Sequence, residues 1–390
     1  MNISQDTRRD FDCIACSCPR QWLYLLGDAG VVYSEARNRF AGLDAAGVSA
    51  YRAFDAGAQI EDLRLMHDGH KPDAASSGEL EAIHALTQGI FPDYESADES
   101  VEDWPDPAIS THSGTATIEI HGIPISVAYP TGQLEELCRD CFQNCTTSDR
   151  PAHWRLSAQS MENGWAIYIN DRKFFSLQHE QQLGLGLMHA ARSLLYAEGK
   201  YDVAFHAAMI ACGDCGVMLC APRECGKSTL AAYLVTRGSD LLADEPSLLH
   251  LDTWSVSPLL MPISLKEGSW SILRQHWPQL ACAPVHLRSD GIKIHMAHPS
   301  RQSCSSRSRR LTHIVFPRYA PSSPAKVESL SLLCTLRHLS EGGMLLAKQF
   351  AREDFEAFLQ SVWQTPAYRL QYASLEEAHR MLHEIGCFER

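Results

Sequence analysis

Ala221-Pro222-Arg223-Glu224-Cys225-Gly226-Lys227-Ser228-Thr229, followed by LAAYLVTRG (230–238), decides how this chain reads. The apolar run GVMLCAP (216–222) leads in as a strand and a helical stretch leads out. That order suits a phosphate-binding loop: amides of the turn and the helix N-terminus point at an anion, a lysine reaches the outer phosphate oxygens, and a hydroxyl ligates Mg²⁺. The expected phosphate cradle is Cys225, Gly226, Lys227, Ser228 and Thr229, with Lys227 at a solvent-facing anion site. Two residues depart from the pattern. Ala221 stands where such loops begin with glycine, which removes freedom at positive φ. Glu224 carries a carboxylate that a triphosphate repels unless it points outward. The bland alternative is a Gly-Lys-Ser-Thr at an ordinary helix start, and the preceding strand argues against it.

Sixteen residues beyond Ser228, LLADEPSLLHLD (241–252) places Asp244 and Glu245 after a short apolar run. Acids at a strand end beside a phosphate loop suit a Mg²⁺ ligand and a base. Read alone, they would be an exposed acid pair. His206 in AFHAAMIA (204–211) and Lys266 in SLKEG (264–268) are further candidates, weighed against a satisfied strand histidine and a surface lysine.

Working outward, TATIEIHGIPISVAYP (115–130) alternates with period two about His121-Gly122 and reads as a hairpin. GQLEELCRDCFQNC (132–145) reads as a helix, WRLSAQ (154–159) and GWAIYIN (164–170) as strands, and Glu180–Gly199 as the longest helix. Near the N-terminus, WLYLLG (22–27) and GVVYSEA (30–36) read as a hairpin turning at Asp28-Ala29. Asp44 is placed to cap a helix with Ala46, Val48, Tyr51 and Phe54 on one face, and two more helices follow. A hairpin and three helices in this span give a small winged-helix pattern. DYESADESVEDWPDP (93–107) holds seven carboxylates, two prolines and no basic residue, which predicts an extended linker. SRQSCSSRSRR (300–310) reads as a mobile loop.

The stretch 221–229 together with LLADEPSLLHLDTWSVSPLLMPISLKEGSW (241–270) resembles the kinases related to HPr kinase/phosphorylase. His206 is similarly placed to the family histidine, and THIVFPRY (312–319) and TPAYRLQYASLEEAHRML (365–382) look like the family's tail. The likeness covers about residues 110–390 and is strongest over 203–268. This group includes the lasso-peptide kinases, which phosphorylate a serine of a ribosomal precursor peptide. YSEARNRFAGLDAAGVSAYRAFDAGAQIEDL (33–63) resembles the PqqD-like recognition element, a winged helix that takes a leader peptide as an added strand.

The resemblance implies an α/β fold: a P-loop kinase domain of HPr kinase type with an N-terminal PqqD-like winged-helix domain. The expected units are a peptide-binding domain at 1–92, the acidic linker at 93–107, an α+β part of the kinase region at 108–200, and the P-loop domain at 201–390. It implies ATP and Mg²⁺ as cofactors. Lys227 and the amides of Cys225 to Thr229 would hold the phosphates, and Ser228 would ligate Mg²⁺. Asp244 would be the base and a metal contact, and Glu245 a second metal-side carboxylate. His206 would orient the acid pair or contact the phosphoryl group, Lys266 would neutralise the transferred phosphoryl, and Glu267 is a further acidic candidate. The expected partner is a precursor peptide whose leader is bound by residues about 15–92. The alternatives are a non-catalytic nucleotide-binding peptide chaperone or adaptor, which the altered loop permits, and a kinase of an HPr-like phosphocarrier protein.

Composition sets the outer limits. The 390 residues exceed one ordinary domain, and 45% hydrophobic content excludes a mostly disordered chain. A net charge of −13 argues against nucleic-acid or anionic-membrane partners held by bulk electrostatics. No secretory h-region follows the N-terminus and no run of about 18 apolar residues occurs, so a cytoplasmic protein with reduced thiols is expected. Cys13-x-x-Cys16, Cys138-x-x-Cys141 and Cys212-x-x-Cys215 each lack a second pair at zinc-site spacing, so packing or turn roles are expected.

Overall fold

The computed structural model describes residues 11–61, 63, 77–91, 116–130, 132–346 and 350–388. The stretch expected to be the acidic linker, 93–107, lies outside these residues. The fold is mixed α/β, with four sheets among the described residues.

The first sheet is antiparallel in chain order: β1 (Asp12–Ala15), β2 (Gln21–Leu26), β3 (Ala29–Ser34) and β4 (Arg39–Leu43). Leu26 pairs with Ala29, so the β2–β3 turn is Gly27-Asp28, not Asp28-Ala29. The turn settles there because Gly27 supplies the positive φ, +78°, that a two-residue hairpin requires. Helix α1 (Ala45–Asp55) starts where expected, with Asp44 Oδ1 accepting the Gly47 N–H at 2.8 Å. Leu23, Val32, Ala41 and Leu43 face α1 and α2 (Ser77–Thr87) and close a small core.

The opposite face of this sheet is also apolar, and it is covered by the C-terminal part of the chain. Helix α8 (Arg352–Gln364) presents Phe355, which stacks on Tyr33 with ring centroids 4.0 Å apart, between Tyr24 and Phe40. Tyr33 Oη donates to the Phe350 carbonyl at 2.8 Å. A buried aromatic pair of this kind contributes roughly 1 kcal/mol beyond its area. The N-terminal unit is therefore docked on the remainder of the protein through both hydrophobic and hydrogen-bonded contacts.

The second sheet comprises β5 (Ala116–Ile120), β6 (Ile123–Ala128), β7 (Thr146–Thr147), β8 (Trp154–Met161), β9 (Gly164–Ile169) and β10 (Arg172–Leu177), in the order β10-β9-β8-β6-β5-β7. Helix α3 (Gln133–Asp140) follows β6. Helix α4 (Leu183–Glu198), preceded by a 3₁₀ turn at Glu180–Gln182, packs across the sheet. Strand β10 is an edge, and its register shifts between Lys173 and Phe175. A bulge of this kind re-aims side chains, and Phe174 and Phe175 both come to lie beside His189 of α4.

The third sheet carries the 221–229 loop. Its strands are β11 (Val203–Phe205), β12 (Ala207–Cys212), β13 (Cys215–Cys220), β14 (Asp240–Asp244), β15 (Ser247–His250) and β16 (Ser255–Ser257), with the later β20 (Arg309–Tyr319), β21 (Lys326–Ser329), β22 (Met344–Leu346) and β23 (Ala367–Tyr372). β20 runs parallel to β13 and to β23, and most other pairings are antiparallel. Helix α5 (Lys227–Thr236) is polar in its first turn and buries every residue from Leu230 to Val235 beyond it. It lies between this sheet and the three-stranded sheet β17 (Ile263–Lys266), β19 (Lys293–Ala297) and β18 (His286–Leu287), with α6 (Glu267–Leu273) and α9 (Leu375–Glu384) alongside. Helix α7 (Leu332–Glu341) packs on β4. The expected loop 300–310 is shorter than the sequence suggests. Ser300 caps a 3₁₀ turn at Arg301–Ser303, and Arg309 and Arg310 already belong to β20, where backbone pairing with Ser255 and Val256 overrides their polarity.

One buried polar cluster ties these units together. Asp140 at the end of α3 lies 2.8 Å from both His286 Nε2 and His298 Nε2. Burial pushes the Asp140 carboxyl up, but hydrogen bonds from the two histidines outweigh it and hold the group below its ordinary value of 3.8. Its stabilisation is therefore present above that value and is lost as pH falls through the lower folded one. Asp140→Ala strands two histidines and is expected to lower stability by about 3 kcal/mol. The unfolding midpoint in urea measures this, and a midpoint unchanged from the parent would show that the cluster is not cohesive.

Candidate functional site

Strand β13 ends at Cys220, the chain turns through 221–226, and α5 leaves from Lys227. Gly226 is left-handed at φ +86°, and a Cβ there would come within 3.0 Å of Tyr372 Oη. Ala221 is not among the residues at positive φ, so the missing first glycine leaves the turn unstrained. The strain falls on Glu224, at φ +71°. Its side chain points outward, 69% exposed, with Oε1 3.3 Å from Lys266 Nζ. Glu224→Gly removes both the strained conformation and a carboxylate at the loop. A unit charge a few ångström away in a water-like medium is worth about 1 kcal/mol, so Mg·ADP is expected to bind about fivefold tighter. Calorimetric titration checks this, and weaker binding would mean that the Glu224–Lys266 pair organises the loop.

Lys227 differs from expectation. It is only 8% exposed, and its Nζ donates to the carbonyls of Ala221 at 2.6 Å and Pro222 at 3.2 Å. Burial lowers its pKa, against the raising influence of nearby Cys220, Glu245 and Asp244. The ammonium thus folds under the loop it was expected to stand clear of, because the loop carbonyls are the nearest acceptors.

The two acids separate sharply. Asp244, the last residue of β14, is buried. Its Oδ1 accepts from Ser228 Oγ at 3.1 Å and its Oδ2 from the Ser264 N–H at 3.2 Å. Burial and then the charge of Glu245 raise its carboxyl to about 6, against those two hydrogen bonds. Glu245 turns the other way, at φ +52°, and reaches into the cavity with Oε1 2.8 Å from His206 Nδ1. Burial would raise Glu245, but the His206 hydrogen bond and the cations Arg192 and Lys227 bring it down to about 2. His206 sits between β11 and β12 with its amide bonded to the Gly343 carbonyl at 2.7 Å.

Lys227, Ser228, Glu245 and His206 line one cavity of about 1060 Å³, at the upper end of the range for small-molecule sites. Its walls differ. Tyr319, Tyr372 and Leu375 stand beside the loop. Across the cavity, β10 and α4 contribute Phe174, Phe175, Met188, His189 and Arg192. This second wall was not read from the sequence. Its signal is Arg192, the only lysine or arginine between Lys173 and Lys200 and set in an otherwise apolar run. Of the expected residues, Gly226, Lys227, Ser228, Thr229, Glu245, His206 and Lys266 line the cavity, Asp244 backs it, and Cys225 lies in the loop. Glu267 does not line it and faces Lys293 at 3.9 Å.

The Ser228 hydroxyl and Asp244 carboxylate are hard oxygen donors side by side at the loop, which suits Mg²⁺, an ion that takes few protein ligands and keeps water and phosphate oxygens. Among the described residues no group of three or more His, Cys, Asp or Glu side chains is arranged to hold a metal, so the Cys-x-x-Cys pairs have no assembled ligand set. No described helix is long and apolar enough to cross a membrane. No family model and no curated protein matches the chain.

Proposed function

We propose that this protein is an ATP-dependent serine kinase with a P-loop of the HPr-kinase-related kind, acting on a ribosomally made precursor peptide whose leader is held by a PqqD-like N-terminal domain. The observation that carries the reading is the pairing of Ser228 with Asp244 and of Glu245 with His206 around one cavity that also receives Lys227. Phosphoryl transfer asks mainly for positioning and charge stabilisation, and these groups supply both.

Their roles follow from direction. Lys227 exchanges the Ala221 and Pro222 carbonyls for phosphate oxygens. Ser228 and Asp244 hold Mg²⁺, which when bound neutralises phosphate charge. Glu245, not Asp244, is the base, because it faces the cavity while both Asp244 oxygens are engaged. Its low pKa comes partly from Lys227 and Arg192. Anionic phosphate offsets those cations, so Glu245 becomes more basic when the nucleotide is in place. His206 holds the carboxylate toward the acceptor hydroxyl. Tyr319, 47% exposed beside Gly226, offers a face for the base, and the Phe174–Phe175 wall leaves room for the acceptor segment.

On the N-terminal unit both sheet faces are covered, so leader capture falls to an edge. Among the described residues strand β1 pairs only with β2, beside a recess lined by Ile14, Leu23 and Tyr51. Strand addition there would supply main-chain hydrogen bonds with a side-chain pocket. The test is mass spectrometry of candidate Ser-containing precursor peptides incubated with protein and Mg·ATP. A gain of one phosphate on serine is expected, with Ile14→Glu weakening peptide binding and not nucleotide binding. Peptide binding without phosphate incorporation would instead make the chain an adaptor.

A further inference from the structure

We propose that Arg192 on α4 is the cation that stabilises the phosphoryl group in transfer, reaching the loop from the neighbouring β-sheet unit. This rests on the kinase reading above and assigns a further residue to the same site.

Helix α4 buries Ala190, Ala191, Ser193, Leu194 and Leu195, and Arg192 among them reaches the cavity shared with Lys227, Ser228 and Glu245. Its Nε is shielded from solvent and has no hydrogen-bond partner among the described residues. Among the described residues its Nη2 meets only the Met188 sulfur, at 3.9 Å, which is a weak acceptor. A guanidinium carries five donors in a planar fork that matches phosphate oxygens two at a time. Leaving such a donor dry is unfavourable unless an anion arrives to meet it. The surrounding side chains of Phe174, Phe175 and Met188 are apolar, so a charge interaction here is stronger than in water.

Arg192 is ion-paired with neither acid, although its charge acts on both Asp244 and Glu245. It is thus free to turn toward phosphate without breaking a salt bridge. Lys266, expected to neutralise the phosphoryl, is engaged by Glu224 on the loop. In the transfer, the serine oxygen forms a bond to the γ-phosphorus as the bond from that phosphorus to the β–γ bridging oxygen breaks. The hydroxyl proton passes to Glu245 and ADP leaves. Negative charge on the three equatorial oxygens is what Arg192 would meet.

The test compares Mg·ADP alone with Mg·ADP plus fluoroaluminate, a mimic of the phosphoryl in flight, by calorimetry on the full chain. The parent is expected to bind the fluoroaluminate complex more tightly than ADP. Arg192→Met should lose that surplus, by about a hundredfold, with ADP affinity kept within about twofold. Arg192→Lys should restore part of the surplus, since it returns the charge without the fork. A surplus unchanged in Arg192→Met, or an equal loss for both ligands, overturns the assignment and leaves the kinase reading intact. A parent protein that does not bind Mg·ADP overturns both.

Discussion

Lys227→Met is expected to lower phosphoryl transfer by about a thousandfold while leaving the fold in place. In the described state the Lys227 ammonium is buried and bonded to two loop carbonyls, close to Glu245 and Asp244. Methionine keeps the length and apolar stem. Losing the ammonium leaves the Ala221 and Pro222 carbonyls without that donor, a cost of about 1–3 kcal/mol that lowers the unfolding midpoint without abolishing the fold. The larger loss is in the chemistry, because phosphoryl transfer relies on fixed cations around the phosphates. Thermal unfolding and single-turnover transfer, measured on the same sample, separate the two effects. Transfer within about tenfold of the parent would sink the assignment of this loop.

Glu245→Gln is expected to slow transfer by about a hundredfold to ten-thousandfold, the range for removing a positioned base. Nucleotide affinity should hold or rise, since a carboxylate facing the phosphates is gone. Asp244→Asn should behave differently. It keeps an acceptor for Ser228 but loses the charge that suits Mg²⁺, so the Mg²⁺ concentration for half-maximal rate should rise at least about tenfold. Titrating Mg²⁺ against rate in both variants reads the difference. If Asp244→Asn is inactive at every Mg²⁺ concentration and Glu245→Gln is nearly as active as the parent, the base is Asp244.

Deleting residues 1–92 is a poor test of leader capture. The deletion would bare Phe355 and Phe358, which Tyr24, Tyr33 and Phe40 now cover. Local variants on the β1 edge avoid that exposure.

Local chemistry was legible in the sequence. The strand, turn and helix around Lys227, the cap at Asp44 and the hairpin about His121-Gly122 follow from propensity, capping and alternation, which act over a few residues. So does the spacing that brings Asp244 to Ser228, since one helix and one strand separate them. Tertiary structure alone decided the rest. Which acid faces the cavity depends on a left-handed Glu245 and on His206 arriving from another strand, and neither is encoded within a single window. Lys227 is buried because the loop carbonyls curl around it. Arg192 joins the site only because α4 packs across a sheet that is separate from the one carrying the loop. The tyrosines of β2 and β3 read as ordinary strand residues until Phe355, more than three hundred positions away, stacks on them. Periodicity marks a face as apolar, whereas the element that covers it is chosen by the packing of the whole chain.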